Sequence, residues 1–304
     1  MAEFIKYMVA NHKFDEKFLA EQFAQINPNQ RVLTLFRPTP PSQTPSKPIV
    51  RSWKKYRAQF LNTGRIEGGA NFWLENAATL KRAYDQYGVP PEIIIAIIGV
   101  ETLYGQHTGG FSVMEALASL AFHDPRRGDY FRGELEQFLL LSRENDFEPL
   151  KIQGSYAGAM GIPQFMPGSW RKYAVNYDGD NKIDLLNSVT DSIGSIGNYL
   201  KAHGWQKDEA VAHQAIISGK AKEAWLKVGI LPGLKTEELA AQGLKTAQKP
   251  LEIAALIDLP TPGQPTEYWF GYQNFYVITR YNKSSYYAMA VFQLAEAIRL
   301  RVNQ

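Results

Sequence analysis

Pro90-Pro91-Glu92-Ile93-Ile94-Ile95-Ala96-Ile97-Ile98-Gly99-Val100-Glu101-Thr102-Leu103-Tyr104-Gly105 is the stretch whose reading decides the fold. Two prolines at its start suit the first turn of a helix, where a missing N–H costs no hydrogen bond. From Ile93 to Val100 nearly every face of that helix is apolar, so it is expected to be buried on nearly every side. It nevertheless ends in a carboxyl group, Glu101, just before Gly105. Desolvation by the isoleucines and the partial negative charge of a helix C-terminus both hold a proton on such a group to higher pH. A carboxyl protonated near neutrality can serve as a general acid. The plainer alternative is a frayed helix end at which Glu101 pairs with an arginine.

Outward from this segment the chain reads as mostly helical. Apolar spacing predicts helices within 3–25, with Asp15 as an N-cap, then over 53–60 and on to Gly88, 113–121, 130–145, 190–203 and from 285 to the C-terminus, capped by Asn282 or Ser284. Pro38, Pro40, Pro41, Pro45 and Pro48 read as an extended connector. Residues 206–278 differ in texture, with short helical pieces at 209–218 and 236–242 and strand-like runs at 251–259 and 268–278. The expected class is mainly α (α+β). Its parts are a helical region 1–89 with the proline connector, a core 90–205, a small α+β insertion 206–278, and residues 279–304, which return to the core.

Composition excludes several functions. The 304 residues carry 33 Lys+Arg against 30 Asp+Glu, a net charge of +3 with no run of like charges, so no nucleic-acid footprint is present. The absence of Cys removes thiol catalysis, disulfides and thiolate-bound zinc. The longest apolar run falls well short of the ~20 residues of a bilayer span, and Met1-Ala2-Glu3-Phe4 lacks the pattern of a secretory signal. No G-x-S-x-G elbow, H-E-x-x-H, P-loop or dinucleotide glycine pattern occurs.

A second informative stretch, Gln153-Gly154-Ser155-Tyr156-Ala157-Gly158-Ala159-Met160-Gly161-Ile162-Pro163-Gln164-Phe165-Met166-Pro167, is too rich in glycine for a regular amphipathic element. It suits a cleft wall where backbone and aromatic faces approach a ligand, or else a tight loop with a buried aromatic anchor. Between Ser155 and Phe165 there is no Asp or Glu.

Four motifs occur in order: Gly99-Val100-Glu101-Thr102-x-Tyr104-Gly105, Ser155-Tyr156-Ala157-Gly158-Ala159-Met160-Gly161-x-x-Gln164-Phe165-Met166-Pro167, Asn198-Tyr199-x-x-x-His203-Gly204-Trp205 and Thr279-Arg280-Tyr281-Asn282-x-Ser284-x-x-Tyr287-Ala288-Met289-Ala290. In this series the chain resembles the membrane-bound lytic transglycosylase B family of murein-cleaving enzymes, from about Trp53 to the C-terminus. The resemblance implies a lysozyme-like helical core with additional helices and a small α+β inserted domain. It implies that Glu101 is the sole catalytic acid and base. Glu101 would protonate the glycosidic oxygen between N-acetylmuramic acid and N-acetylglucosamine, then take the proton of the muramoyl C6 hydroxyl as that oxygen attacks C1. A 1,6-anhydromuramoyl end forms and no water is consumed, whereas hydrolytic glycosidases ordinarily need a second carboxylate. Asp124, Asp129 and Glu134 are the acids that would supply one if they approached in three dimensions. A water-using muramidase and a non-catalytic peptidoglycan-binding scaffold are the competing readings.

By position, Ser155, Gln164 and Asn282 match the family's polar residues around the acid, and Tyr56, Phe165, Tyr281 and Tyr287 match its aromatic lining, for which the alternative is core packing. Arg126 and Arg127 match basic residues that would meet peptide or lactyl carboxylates, the alternative being a solvated turn. Asn176-Tyr177-Asp178-Gly179-Asp180-Asn181-Lys182-Ile183-Asp184 resembles a calcium-binding EF-hand loop. Its oxygen donors would be Asn176, Asp178, Asp180 and the carbonyl of Lys182. It departs from that pattern in its first ligand, in Asn181 at the glycine position, and in Asn187 where a glutamate is usual, with Asp191 the substitute acid. Weak structural calcium binding, or none, is the expectation, and no cofactor is expected in catalysis. The same resemblance implies a monomer acting on peptidoglycan glycan strands in the periplasm, attached to the outer membrane in its native form, among cell-wall synthesis or division proteins.

Overall fold

The computed structural model describes residues 1–37, 51–217 and 221–304. The proline connector from Pro38 to Pro48 lies outside the described residues. Two compact units form, each assembled from separate stretches of chain.

The first unit comprises Met1–Pro41, Gly105–Asn176 and Asp180–Ser192. It opens with helices Ala2–His12 and Glu16–Ala24, the second capped by Asp15, whose Oδ1 accepts the Phe18 N–H at 2.6 Å. Phe4, Phe23 and Phe122 meet edge to face, with ring centroids 6.0–6.3 Å apart. Helices Val113–His123 and Gly128–Glu144 pack together through Leu117, Leu120, Leu135 and Phe138, all buried. Two short strands, β1 (Phe111–Ser112) and β2 (Gln153–Gly154), pair antiparallel and lead into the glycine-rich loop.

The second unit comprises Ser42–Tyr104, Tyr177–Gly179 and Ile193–Gln304. Its centre is the helix Pro91–Thr102, in which every side chain from Ile93 to Ile98 is buried. The C-terminal helix Ser285–Val302 packs on it and on Thr63–Glu75, bringing Val291, Leu294 and Ile298 into the same core. The apolar run is therefore an internal strut, and burial of its isoleucines stabilises the unit by about 1.5–3 kcal/mol per side chain.

Five antiparallel strands complete this unit: β3 (Ala212–Ile217), β4 (Leu234–Lys235), β5 (Leu244–Lys245), β6 (Ile253–Leu259) and β7 (Glu267–Gly271), in the order β4-β6-β7-β3-β5. They close over a small core of Ala215, Trp225, Leu239, Leu244, Leu256 and Phe270.

Two local readings change. In the 209–218 piece, expected to be helical, residues 212–217 form β3, because Ala212 to Ala215 pair with β7 and Ile216 and Ile217 with β5, with Ala212 and Ala215 buried and Gln214 and Ile216 exposed. The 268–278 run is strand only to Gly271; Gln273–Tyr281 is helical. There Phe275, Ile278 and Thr279 share the buried face at helical spacing. Asn274 ties that helix down: its amide nitrogen donates to the Gln206 and Glu209 carbonyls and its oxygen accepts the Gln206 N–H, at 2.8–2.9 Å. Among the described residues no helix is long and apolar enough to cross a membrane.

Candidate active site

In the second unit the acid sits where the buried helix stops. Leu103 and Tyr104 turn the chain through the left-handed region, at φ 51° and 61°, a conformation that is costly without glycine. Tyr104 folds back as a wedge. Its hydroxyl donates to the Arg65 carbonyl at 2.6 Å, and the Arg65 guanidinium in turn donates to the carbonyl of Gly99, one of the helix's last acceptors. The wedge fits only because Gly99 has no side chain: a Cβ there would lie 2.7 Å from the Tyr104 hydroxyl. Gly68 is crowded by the same ring, at 2.8 Å.

Glu101 is thereby held partly accessible yet strongly desolvated. Burial pushes its carboxyl up to about 7, and the opposing influence is the hydrogen bond donated by Tyr287. Tyr287 Oη lies 2.6 Å from Glu101 Oε1, and its ring is 2 % exposed. Tyr281 stacks on Tyr287 with planes 13° apart and meets the edge of Tyr199 at 5.1 Å. Tyr199 donates to the Arg280 carbonyl at 2.7 Å, which fixes the end of the helix that carries Tyr281. Burial and the neighbouring Glu101 raise Tyr281 and Tyr287 well above the usual phenol range, so both remain neutral hydroxyls. Tyr56 is half-buried beside Trp53, Phe60 and Tyr286, and the Glu101 charge also raises it. Asn282 is exposed at the end of helix Gln273–Tyr281.

The first unit carries the glycine-rich loop. Ser155 Oγ accepts the N–H groups of Ala157 and Ala159, closing a tight turn. Met160 and Phe165 exchange backbone hydrogen bonds. Gly161, at φ 72°, passes so close to the Leu185 carbonyl that a Cβ would lie 2.2 Å from its oxygen. Gln164 also adopts a positive φ, 53°, and both protons of its amide are engaged, with Nε2 2.9 Å from the Thr108 and Gly161 carbonyls. Its Oε1 is left as the acceptor end of the amide.

Several expectations take a different form. Phe165 is not a lining residue: at 2 % exposure it is the buried anchor of its loop. Tyr287 has no face left for a sugar and acts through its hydroxyl on Glu101. Arg126 and Arg127 are exposed, and each has partners within the first unit. Arg126 reaches Asp124 and the Phe36 carbonyl, while Arg127 lies over the rings of Tyr130 and Phe131 at 4.5 and 5.2 Å. The three other acids are engaged in that unit too. Asp124 caps the N–H groups of Arg126 and Arg127, Asp129 pairs with Arg132, and Glu134 accepts the Gly168 N–H at 2.9 Å.

In the EF-hand-like segment, Asp191 is 1 % exposed and its Oδ2 accepts the Asp184 N–H at 2.8 Å. The Asp180 Oδ1 accepts the Lys182 N–H at 2.9 Å. Asp184 is spent on the N–H groups of Leu186 and Asn187 and on the Asn187 amide. Among the described residues no three acidic or histidine side chains converge on a metal position. A calcium ion there would depend on Asn176, Asp178 and Asp180 with backbone carbonyls, including that of Lys182, a donor set of low charge.

Sequence reasoning passed over Arg65 and the roles of Tyr104 and Tyr199. The legible signal was three glycines, Gly68, Gly69 and Gly99, inside helices where glycine is unfavourable, which calls for a bulky neighbour.

A carboxyl raised to about 7 by burial and held by the hydrogen bond of a buried tyrosine is the arrangement that general-acid chemistry, including glycoside cleavage, calls for. The family described as the transglycosylase SLT domain matches residues 1–296. The chain is 45% identical over 308 residues to membrane-bound lytic murein transglycosylase B of Escherichia coli (strain K12), covering 98% of this chain and 82% of that protein. Its fold is similar to the crystal structure of soluble lytic transglycosylase SltB1 from Pseudomonas aeruginosa (TM-score 0.90, 43% identity, 100% of this chain and 99% of that one). It is likewise similar to the Escherichia coli lytic transglycosylase Slt35 in complex with calcium (TM-score 0.88, 42% identity, 100% and 93%). The chain belongs to the transglycosylase SLT domain family.

Proposed function

We propose that the protein is a lytic transglycosylase of peptidoglycan in which Glu101 alone acts as acid and then base. The observation that carries this reading is the state of Glu101: its carboxyl is raised to about 7 by burial, it receives a hydrogen bond from Tyr287, and among the described residues no acidic neighbour contributes to its shift. A group poised there is protonated often enough to give its proton to the glycosidic oxygen. Once ionised, it is basic enough to take the proton of the muramoyl C6 hydroxyl as that oxygen closes on C1. The bond to the leaving N-acetylglucosamine breaks, the C6–O–C1 bond forms, and the proton returns to Glu101, so the cycle closes without water.

Tyr287 orients the acid, and Tyr56 and Tyr281 offer partly exposed ring surface to sugars. Asn282, Ser155 and the acceptor oxygen of Gln164 bind hydroxyl and acetamido groups, and Arg126 and Arg127 meet stem-peptide carboxylates. The segment from Asn176 to Asp191 binds calcium weakly as a structural ion, a reading supported by the calcium complex of the related Slt35. The murein substrate and the membrane-bound name of the Escherichia coli relative support a reading as a periplasmic protein that can attach to the outer membrane in its native form. Mass spectrometry of digested murein tests the chemistry: anhydro ends support it, and reducing ends heavier by one water identify a hydrolytic muramidase instead. Binding to murein without release of either product would identify a scaffold.

A further inference from the structure

The second unit contains a cleft of about 680 Å³ that none of the residues around Glu101 line. It lies among β3, β7, the start of helix Pro91–Thr102 and the outer face of helix Ser285–Val302. Its volume falls within the ~300–1,000 Å³ usual for small-ligand sites. The apolar part of the wall is aromatic: Trp269 and Phe292 stand edge to face, 6.1 Å apart, beside Leu61 and Leu300. The polar part mixes donors and acceptors. Arg57 Nε donates to Gln293 Oε1 at 2.5 Å, which leaves the Gln293 amide N–H and the outer guanidinium N–H groups as donors. Gln214 and Glu209 line the same cleft and are exposed, and neither side chain makes a hydrogen bond among the described residues.

Charge narrows the ligand. Glu92, Glu209 and Glu296 line the cleft, against Arg57 and the Arg299 that Glu92 and Glu296 share at 3.8 and 2.8 Å. With no positive excess, the cleft does not suit a phosphate or carboxylate ligand, and its amides and acids do not suit a lipid chain. An uncharged molecule with apolar ring faces and many hydroxyl and acetamido groups matches both parts of the wall. We propose that this cleft binds a segment of N-acetylated glycan and is a second holding site on the polymer. The inference rests on the reading of the protein as an enzyme of peptidoglycan. A weak second contact on one strand raises the effective concentration of the strand at the catalytic acid without altering the chemistry.

The test uses Gln214→Ala with Leu300→Ser, both at exposed positions, so the fold is spared. Glu101→Gln protein, which cannot consume the polymer, is sedimented with insoluble murein with and without these two changes. The bound fraction is expected to fall about threefold or more. In the otherwise unaltered enzyme the same pair of changes should raise the murein concentration giving half-maximal rate, yet leave kcat and KM on a short soluble murein fragment unchanged. Equal sedimentation, or an equal rise in KM on both substrates, overturns the proposal. So does capture of a trilysine peptide that the two changes abolish while sedimentation with murein is unaffected, which would assign the cleft to cationic peptides. Sedimentation does not depend on bond cleavage, so a failure of the unaltered enzyme to release anhydro ends would overturn the proposed function and leave this comparison intact.

Discussion

Tyr287 Oη donates a 2.6 Å hydrogen bond to Glu101 Oε1 across 186 residues of sequence. This bond favours the ionised carboxyl, while burial favours the protonated one, and burial wins. Tyr287→Phe should therefore raise the Glu101 pKa beyond about 7. The alkaline limb of the pH–rate profile on murein should move to higher pH, and kcat should fall severalfold through lost orientation. A limb that moves to lower pH would contradict this assignment.

Glu101→Gln should reduce murein cleavage by at least about 10²-fold, the contribution of general acid–base catalysis. Stability should move the other way. Because folding raises the Glu101 pKa, the wild-type protein loses stability as pH rises from about 4.5 through about 7. The loss is ~1–3 kcal/mol, allowing for partial exposure to solvent. The glutamine variant should lack this slope and melt higher than wild type at pH 8, as calorimetry across pH can determine.

The wedge beneath the acid predicts a mutation sensitive in rate more than in fold. Tyr104→Phe removes the hydrogen bond to the Arg65 carbonyl, a loss of about 1 kcal/mol in stability. Through the turn at Leu103 it should lower kcat while leaving KM nearly unchanged. Gly99→Ala places a methyl 2.7 Å from the Tyr104 hydroxyl and should cost ~1–3 kcal/mol, read as a lower melting temperature and a lower kcat.

Calcium should act on stability alone. Millimolar calcium should raise the melting temperature slightly, and Asp180→Ala should remove that increment with kcat on murein unchanged. No calorimetric heat and no shift in melting with millimolar calcium would exclude the ion.

The helix Pro91–Thr102 was legible because its cause is local: eight apolar residues and a terminal acid carry their own burial pattern. The glycine-rich loop was legible from its composition alone, although the approach that demands Gly161 is to the carbonyl of Leu185, well outside the loop. For Phe165 and Tyr287, expected as ring lining with core packing as the alternative, burial favours the alternative. Whether an aromatic ring faces a sugar or a core depends on partners far along the chain, and composition does not reveal them. The same limit applies to β3, whose strand character comes from pairing with β7 rather than from its own residues. Arg65 itself carried no local mark beyond the neighbouring Gly68 and Gly69, because the target of its guanidinium is a carbonyl 34 residues away.

The phenol that partners Glu101 comes from the helix Ser285–Val302, whereas the carboxyl itself lies at the end of Pro91–Thr102. During synthesis the acid is made early and its phenol partner late, and a contact of such long sequence separation is among the slowest to form. A chain interrupted before Tyr287 would hold Glu101 without the group that orients it. On the proposed mechanism, the general acid is thereby assembled only in a chain that carries the helix Ser285–Val302.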